Sequence, residues 1–254
     1  MPTRNQLLNG QQGCIPPQWQ TVYEVDFTTQ AAQDFKAGGD GAYTIASKSW
    51  TIANTANAST LAIGATGLGG TSTGGGMNPP VNTSTAPMAY IALTSLVPNL
   101  SMRDGIRVTA YNSTNNKINS YEGTFLAVGT SKADISVQWW YLFNAGLGFQ
   151  TYWVRAGAGD GVALTDNPAD NDMCLEIPSL GGREMRTFTA VHAAPWPAES
   201  AWRTRTETEF VAGTYASPGV RLPADVYLYL IGQNSVTVAN FDWRYSKLKI
   251  ERRL

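Results

Sequence analysis

The sequence predicts an all-β chain, an antiparallel β-sandwich behind an extended N-terminal arm. Three observations lead there. Short apolar–polar alternations recur along the chain, turn residues punctuate them, and the first and last alternations are alike. In Thr21–Thr28, Tyr23, Val25 and Phe27 fall on one side, with Glu24 and Asp26 on the other. In Asn240–Glu251, Phe241, Trp243 and Tyr245 share a side, with Asp242 and Arg244 opposite. A period of two marks a half-buried strand. Two such strands at the ends are expected to pair and close a single domain over residues 21–254. The apolar set of the last strand steps from Tyr245 to Leu248, which predicts a bulge near Ser246-Lys247. Beyond it Lys247 and Lys249 share a side, as Glu24 and Asp26 do on the first strand. Opposite charges are therefore expected to set an antiparallel register. That register would put the root of the arm beside Arg252-Arg253-Leu254.

The elements follow in order. Residues 1–20 are polar, carry Pro16-Pro17 and show no periodicity, so they read as the arm. Gln30–Lys36 suits a turn or two of helix. Strands are expected at Ala42–Ala46, Trp50–Ala53, Ser59–Ile63, Ala89–Leu96, Gly105–Tyr111, Tyr121–Val128, Ile135–Phe143 and Phe149–Arg155. Others are expected at Met173–Ile177, Met185–His192, Arg203–Val211, Val226–Ile231, Val236–Phe241 and Trp243–Ile250. Gly38–Gly41, Asn115-Asn116, Asn144–Gly146, Gly181-Gly182 and Gly232–Asn234 supply turns between them. Frequent short strands with this punctuation indicate a sandwich or barrel. Gly64–Met88 breaks the pattern, being dense in Gly, Thr, Ser and Pro. It reads as a long loop, either mobile or ordered against a neighbouring subunit.

Composition narrows the function. The chain has 254 residues, a size that one all-β domain can fill, and a net charge of -1. A nucleic-acid partner is not expected, since phosphate binding needs clustered Lys and Arg. Charged residues are 15% of the chain, against about 25% in typical domains, so the surface is polar but weakly charged. The start lacks the apolar core of a signal peptide and no apolar run is long enough for a membrane helix. Synthesis in a cytoplasm without export is expected, with no membrane partner. Cys14 and Cys174 form no CxxC pair, and reduced thiols are expected in that compartment.

Several residues are candidates for chemistry. Trp139, Trp140, Tyr152 and Trp153 form an aromatic cluster that suits either core packing or a platform on which sugars stack. Asp160, Asp166, Asp170 and Asp172 lie in the stretch Gly157–Asp172, read as a loop, and make Ca²⁺ a possible cofactor. They lack the D-x-D-x-D-G spacing, and Gly-Asp-Gly and Asp-Asn-Pro are also turn chemistry. His192 is the sole histidine, which excludes a multi-histidine metal site, and its neighbours favour a structural role. A Ser-His-Asp triad finds no GxSxG elbow to sit on. Glu207 and Glu209, two apart on one strand with Arg203 and Arg205, form either a solvated charge ladder or a carboxylate pair.

The terminal segments Val22–Thr29 (VYEVDFTT), Asp40–Asn54 (DGAYTIASKSWTIAN) and Thr237–Ile250 (TVANFDWRYSKLKI) resemble the opening and returning strands of a concanavalin A-like (laminin-G-like) jelly roll. The leaderless polar start, the arm, the Gly/Thr/Ser segment and the Arg-over-Lys bias resemble tailed-phage virion surface or decoration proteins. These resemblances imply a non-enzymatic structural protein of a phage particle, synthesised in the host cytoplasm. Its arm, with Gln11, Cys14, Pro16 and Pro17 as assembly contacts, would latch onto the major capsid protein or onto other copies of the chain. Two alternatives stand beside it. One is a lectin-like module binding host glycans. The other is a carbohydrate-active hydrolase or lyase, whose acidic-strand signatures Glu207 and Glu209 match only in part.

Overall fold

The computed structural model describes residues 18–72, 86–101, 103–115, 123–129, 139–145, 148–155, 158–164, 171–180, 184–191, 203–206, 226–233 and 241–253. The chain enters β1 (Trp19–Asp26), a 3-10 turn at Phe27–Thr29, the short β2 (Gln33–Asp34) and the helical turn α1 (Phe35–Gly38). Two hairpins follow, β3 (Gly41–Ile45) with β4 (Lys48–Ala53), and β5 (Ala58–Gly64) with β6 (Gly67–Ser72). β7 (Met88–Ala92) runs into the helical turn α2 (Leu93–Leu96), and β8 (Ile106–Asn115) comes next. β9 (Gly123–Gly129), β10 (Trp139–Ala145), β11 (Gly148–Arg155) and β12 (Ala158–Leu164) form an antiparallel meander. β13 (Asn171–Ile177), β14 (Glu184–Val191), β15 (Arg203–Thr206), β16 (Tyr227–Gln233) and β17 (Phe241–Arg253) complete the order.

Two antiparallel sheets result. The first runs β15-β14-β13-β8-β17-β6-β5-β2, with β1 also on β17, and the second runs β12-β11-β10-β9-β16-β7-β4-β3. The all-β antiparallel sandwich expected from the sequence is the fold observed. Alternation decides which residues fill the space between the sheets. Ile106, Val108, Ala110, Met173, Leu175, Ile177, Trp243, Tyr245, Leu248 and Ile250 come from the first sheet, and Ala89, Ile91, Leu126, Val128, Leu228 and Leu230 from the second. At the centre the Trp243 indole lies on the backbone of Gly232, where an added Cβ would sit 1.9 Å from Nε1. Tyr245 packs edge-on to Trp243 at 5.8 Å and its hydroxyl donates to the Ile231 carbonyl at 3.4 Å.

β17 organises the first sheet. One of its edges pairs with β8 over residues 243–252. The other edge meets β6 over residues 241–245 and β1 over residues 247–253. Ser246, where the partner changes, is the extra residue of a bulge against β8, and its hydroxyl donates to the Tyr111 carbonyl at 3.2 Å. The bulge expected near Ser246-Lys247 is therefore present, and it keeps both Tyr245 and Leu248 in the core. β1 is antiparallel to β17 with Glu24 opposite Lys249, Asp26 opposite Lys247 and Trp19 opposite Arg253. Lys247 pairs diagonally with Glu24, a hydrogen bond that pushes its ammonium pKa upward, while Lys249 turns to Glu251 at 2.8 Å.

Three expectations are corrected. The segment expected as a loop over 64–88 contains a strand, β6, at Gly67–Ser72. Its ordering does not depend on side-chain burial, because β5 and β17 bond its backbone on both edges. The glycines allow that approach. Gly67 has φ +112, and a Cβ at Gly69 or Gly70 would lie 2.0 Å from the carbonyl oxygen of Trp243 or Thr60. Residues 73–85 of the expected loop lie outside the described residues. The strand expected over Ala89–Leu96 stops at Ala92, where Leu93 turns to donate its N–H to the Val226 carbonyl at 2.7 Å. The stretch Gly157–Asp172, expected as a loop, holds β12 and the first two residues of β13. Its Gly and Asp residues carry turn propensity, but pairing with β11 outweighs it.

Gly232→Ala is expected to lower stability by about 1–3 kcal/mol, the usual cost of overpacking a core. A urea titration followed by tryptophan fluorescence measures it. Glu24→Lys, which sets like charges around Lys247 and Lys249, is expected to cost about 0.5–1 kcal/mol. The double exchange Glu24→Lys with Lys247→Glu should recover most of that loss.

Candidate functional site

The outer face of the second sheet is aromatic. On β16, Leu228 and Leu230 enter the core, so Tyr227, Tyr229 and Ile231 belong to the opposite side. β7 sets Tyr90 opposite Tyr229 and Met88 opposite Ile231. Tyr90 stacks on Tyr229 with ring centroids 5.3 Å apart and planes 23° apart. Tyr227 meets Tyr90 edge-on at 5.8 Å and lies tilted at 6.1 Å from Tyr229. Met88, Ala127, Tyr229 and Ile231 are buried although they lie outside the inter-sheet core, whereas Tyr90 and Tyr227 are half-buried. Burial pushes the Tyr229 hydroxyl pKa well above the usual tyrosine range, with the Tyr90 and Tyr227 hydroxyls adding to the shift. Tyr229 thus stays protonated at any physiological pH, a neutral polar tip on an apolar body.

Backbone register relates the sequence candidates to this face. Tyr152 is opposite Tyr141, which is opposite Ala127, and the row continues through Tyr229 to Tyr90. Trp139 is opposite Gly129, itself opposite Tyr227. Trp140 and Trp153 are opposite each other, in the row of Val128 and Leu228, both core residues. The four candidates thus divide by register, Trp139 and Tyr152 with the tyrosine rows and Trp140 and Trp153 with a core row. Tyr90, Tyr227 and Tyr229 were not singled out in the sequence. The signal for them was the alternation of Tyr227 and Tyr229 with Leu228 and Leu230, which marks a strand with two apolar faces.

The outer face of the first sheet is charged. One row runs Thr21, Glu251, Arg107, Glu176, Arg186, Thr204 across six strands. Glu176 is the centre. Arg107 donates to its Oε2 from Nη2 at 2.8 Å and from Nε at 3.1 Å, and Arg186 reaches Oε1 at 3.4 Å. The Glu176 side chain is 3% exposed and that of Arg107 14%. Trp19 lies over the Arg107 guanidinium, 4.3 Å from ring centroid to Cζ, a cation–π contact reaching across β17. In the next row Thr109 donates to Cys174 Sγ at 3.6 Å. Burial pushes the Cys174 thiol up to about 12, the Thr109 hydroxyl opposing in part, so it is free but inert near neutral pH.

The structure separates two of the calcium candidates. Asp160 is in β12, the edge strand of the second sheet, and Asp172 is buried in β13 of the first. Asp166 and Asp170 lie outside the described residues, as do His192, Glu207, Glu209, Gln11, Cys14, Pro16 and Pro17. Among the described residues no group of three His, Cys, Asp or Glu side chains is placed to hold a metal ion. No helix among them is long and apolar enough to cross a membrane.

No family model matches the chain, and no curated protein does. Among solved structures it is similar to the CBM2 module of the evolved Dit of Lactobacillus casei BL23 phage J-1. The identity is 11% and the TM-score 0.45, over 93% of this chain and 97% of that one. It is also similar to a carbohydrate esterase from the Shiga toxin-encoding bacteriophage phi24B, at 10% identity and a TM-score of 0.43, over 92% and 99%. The acidic lectin of winged bean gives 9% and 0.44, over 89% and 99%.

Glu176→Ala removes the anion between two guanidinium groups and leaves Arg107 largely buried without it. Breaking such a pair typically costs about 3–5 kcal/mol, and the partial exposure of Arg107 puts the expected loss at the lower end. Chemical denaturation of the variant measures it. A loss below about 1 kcal/mol would mean that Arg107 finds water or another acceptor.

Proposed function

We propose that the protein is a non-enzymatic surface component of a virus particle, attached through its N-terminal segment and presenting the tyrosine face. The observation that carries this reading is the unlikeness of the two outer faces. β1 is fixed to β17, and Trp19 lies over Arg107, so the chain preceding Trp19 leaves from the first sheet. Tyr90, Tyr227 and Tyr229 belong to the second sheet, on the other side of the core. Stacked sheets lie about 10 Å apart, so attachment through one face keeps the partner a full core's thickness from the other. A segment that orders on binding can cover a large partner surface. Repetition in an array adds avidity without strong single contacts. The weakly charged, Gly-rich composition suits such a role, with 25 glycines and 15% charged residues.

Deletion of residues 1–17, with Trp19 kept, is expected to abolish incorporation into particles while leaving the melting temperature within about 4 °C of the parent, a shift of roughly 1 kcal/mol in a chain this long. Full occupancy of the shortened chain in purified particles would overturn the attachment role.

A second reading, glycan recognition, is favoured by one feature. Tyr90 and Tyr227, both half-buried, meet edge-on beside the buried Tyr229, and aromatic faces offer apolar area at low entropic cost. On a glycan array Tyr90→Ala/Tyr227→Ala is expected to lose at least about tenfold in binding, or about 1.4 kcal/mol. An array on which the unaltered protein binds nothing removes this reading.

A further inference from the structure

Tyr90 has one ring face packed and one open. Tyr229 stacks on it at 5.3 Å and Tyr227 meets it edge-on at 5.8 Å, and both come from β16. Among the described residues no other ring touches it. β16 lies on one side of β7 and β4 on the other, so the remaining face of Tyr90 turns toward β4. The residue opposite it there is Thr51, and Ala42 on the edge strand β3 is opposite Thr51. Trp50, Ile52 and Ile45 fill the core, so Thr51, Ser49, Ala42 and Thr44 belong to the same outer side as Tyr90. All four are small. Ala42, Thr44 and Ser49 are exposed, and Thr51, like Tyr90, is half-buried. An aromatic wall therefore stands beside a low floor two strands wide, about 10 Å, that ends at the sheet edge.

We infer that this step takes one ring of an uncharged saccharide, with the C–H face of the sugar against Tyr90 and its hydroxyls toward Thr51, Ser49 and Thr44. The shapes correspond. A pyranose carries C–H groups on its faces and hydroxyls around its rim, and contact with an aromatic face takes apolar area of both out of water. Serine and threonine hydroxyls both donate and accept, as sugar hydroxyls do. Charge decides the class of sugar. Among the described residues β3, β7, β9 and β16 carry no Asp, Glu, Lys or Arg. The one on β4, Lys48, is opposite the core residue Ile45 and donates to the Ser95 carbonyl at 2.9 Å. Arg107, Arg186, Lys247 and Lys249 belong to the first sheet, on the far side of the core. A carboxylate or sulfate brought to Tyr90 would lose water without gaining a cation, which works against binding.

This site rests on the glycan reading above and narrows it to neutral ligands. It also divides the tyrosines by role. Tyr90 alone offers a ring face toward the floor, while Tyr229 and Tyr227 brace it from behind.

The full chain is titrated by calorimetry with a neutral set (galactan, mannan, β-glucan and chitin oligosaccharides) and an acidic set (polygalacturonate, sialyllactose and chondroitin sulfate). At least one neutral member is expected to bind about tenfold or more tighter than any acidic one. Its affinity should not change with added salt, since no ion pair is there to be screened. Thr51→Trp, which fills the floor, should weaken that binding at least about tenfold. Thr51→Val keeps the shape and removes the hydroxyl, and should weaken it about threefold to tenfold, the worth of one hydrogen bond. The valine variant keeps the test open should the tryptophan variant fail to fold. Tighter binding of an acidic member, or affinity that falls with salt, overturns the neutral class and leaves glycan recognition standing. Undiminished binding by the folded Thr51 variants, with loss in Tyr90→Ala/Tyr227→Ala, overturns the position of the site and again leaves glycan recognition standing. Binding to no member of either set removes both.

Discussion

The contact between Trp243 and Gly232 sets the spacing on which the rest of the sandwich depends. An indole against bare backbone brings two sheets together at their centre without a side chain on the second sheet. Every other core layer must then match that distance. Phe27 meets Trp50 edge-on at 6.2 Å, and Phe35 meets Tyr43 at 4.7 Å beside Gly38, where a Cβ would collide with the Tyr43 hydroxyl. Large aromatic rings facing glycines are a repeated solution in this chain. The fit is close-packed, so a methyl added at such a glycine displaces a ring rather than filling a gap.

The two outer faces satisfy opposite requirements. On the first sheet, alternating charges on adjacent strands neutralise one another, with Glu176 receiving three donated hydrogen bonds from two arginines. Buried ions are tolerable only when paired in this way. On the second sheet, three tyrosines satisfy packing by stacking, and Tyr229 remains neutral. A charged face and an aromatic face back to back give the body two chemically distinct sides. Each is built on central strands rather than on loops.

Much of this was legible in the sequence where alternation is clean. Phe241, Trp243, Tyr245, Leu248 and Ile250 specified both the last strand and its bulge, because a one-residue step in a period-two pattern has one geometric remedy. Glu24, Asp26, Lys247 and Lys249 likewise indicated register. β6 was not legible, since Gly69 and Gly70 carry no side-chain signal and their role is steric, felt only by the backbones of β5 and β17. β12 was masked by residues whose local preference is for turns. Trp140 and Trp153 were read together with Trp139 and Tyr152 because all four are aromatic neighbours in sequence. Cross-strand register, which divides them, is a property of pairing that no single strand encodes.

The pairing of β1 with β17 has a consequence for the birth of the molecule. β17 lies between β8 on one edge and β6 and β1 on the other, so three earlier strands have no backbone partner along those edges until residues 241–253 exist. Synthesis proceeds at about 5–20 residues per second, so the first strand waits roughly 10–50 seconds for its mate. Through that interval Val25 and Phe27 have no finished core to enter, and the facing edges of β6 and β8 are open to other chains. Contacts this distant in sequence also slow closure itself. β17 is thus the strand that joins these earlier ones into a sheet, and folding of this half of the sandwich waits on its synthesis.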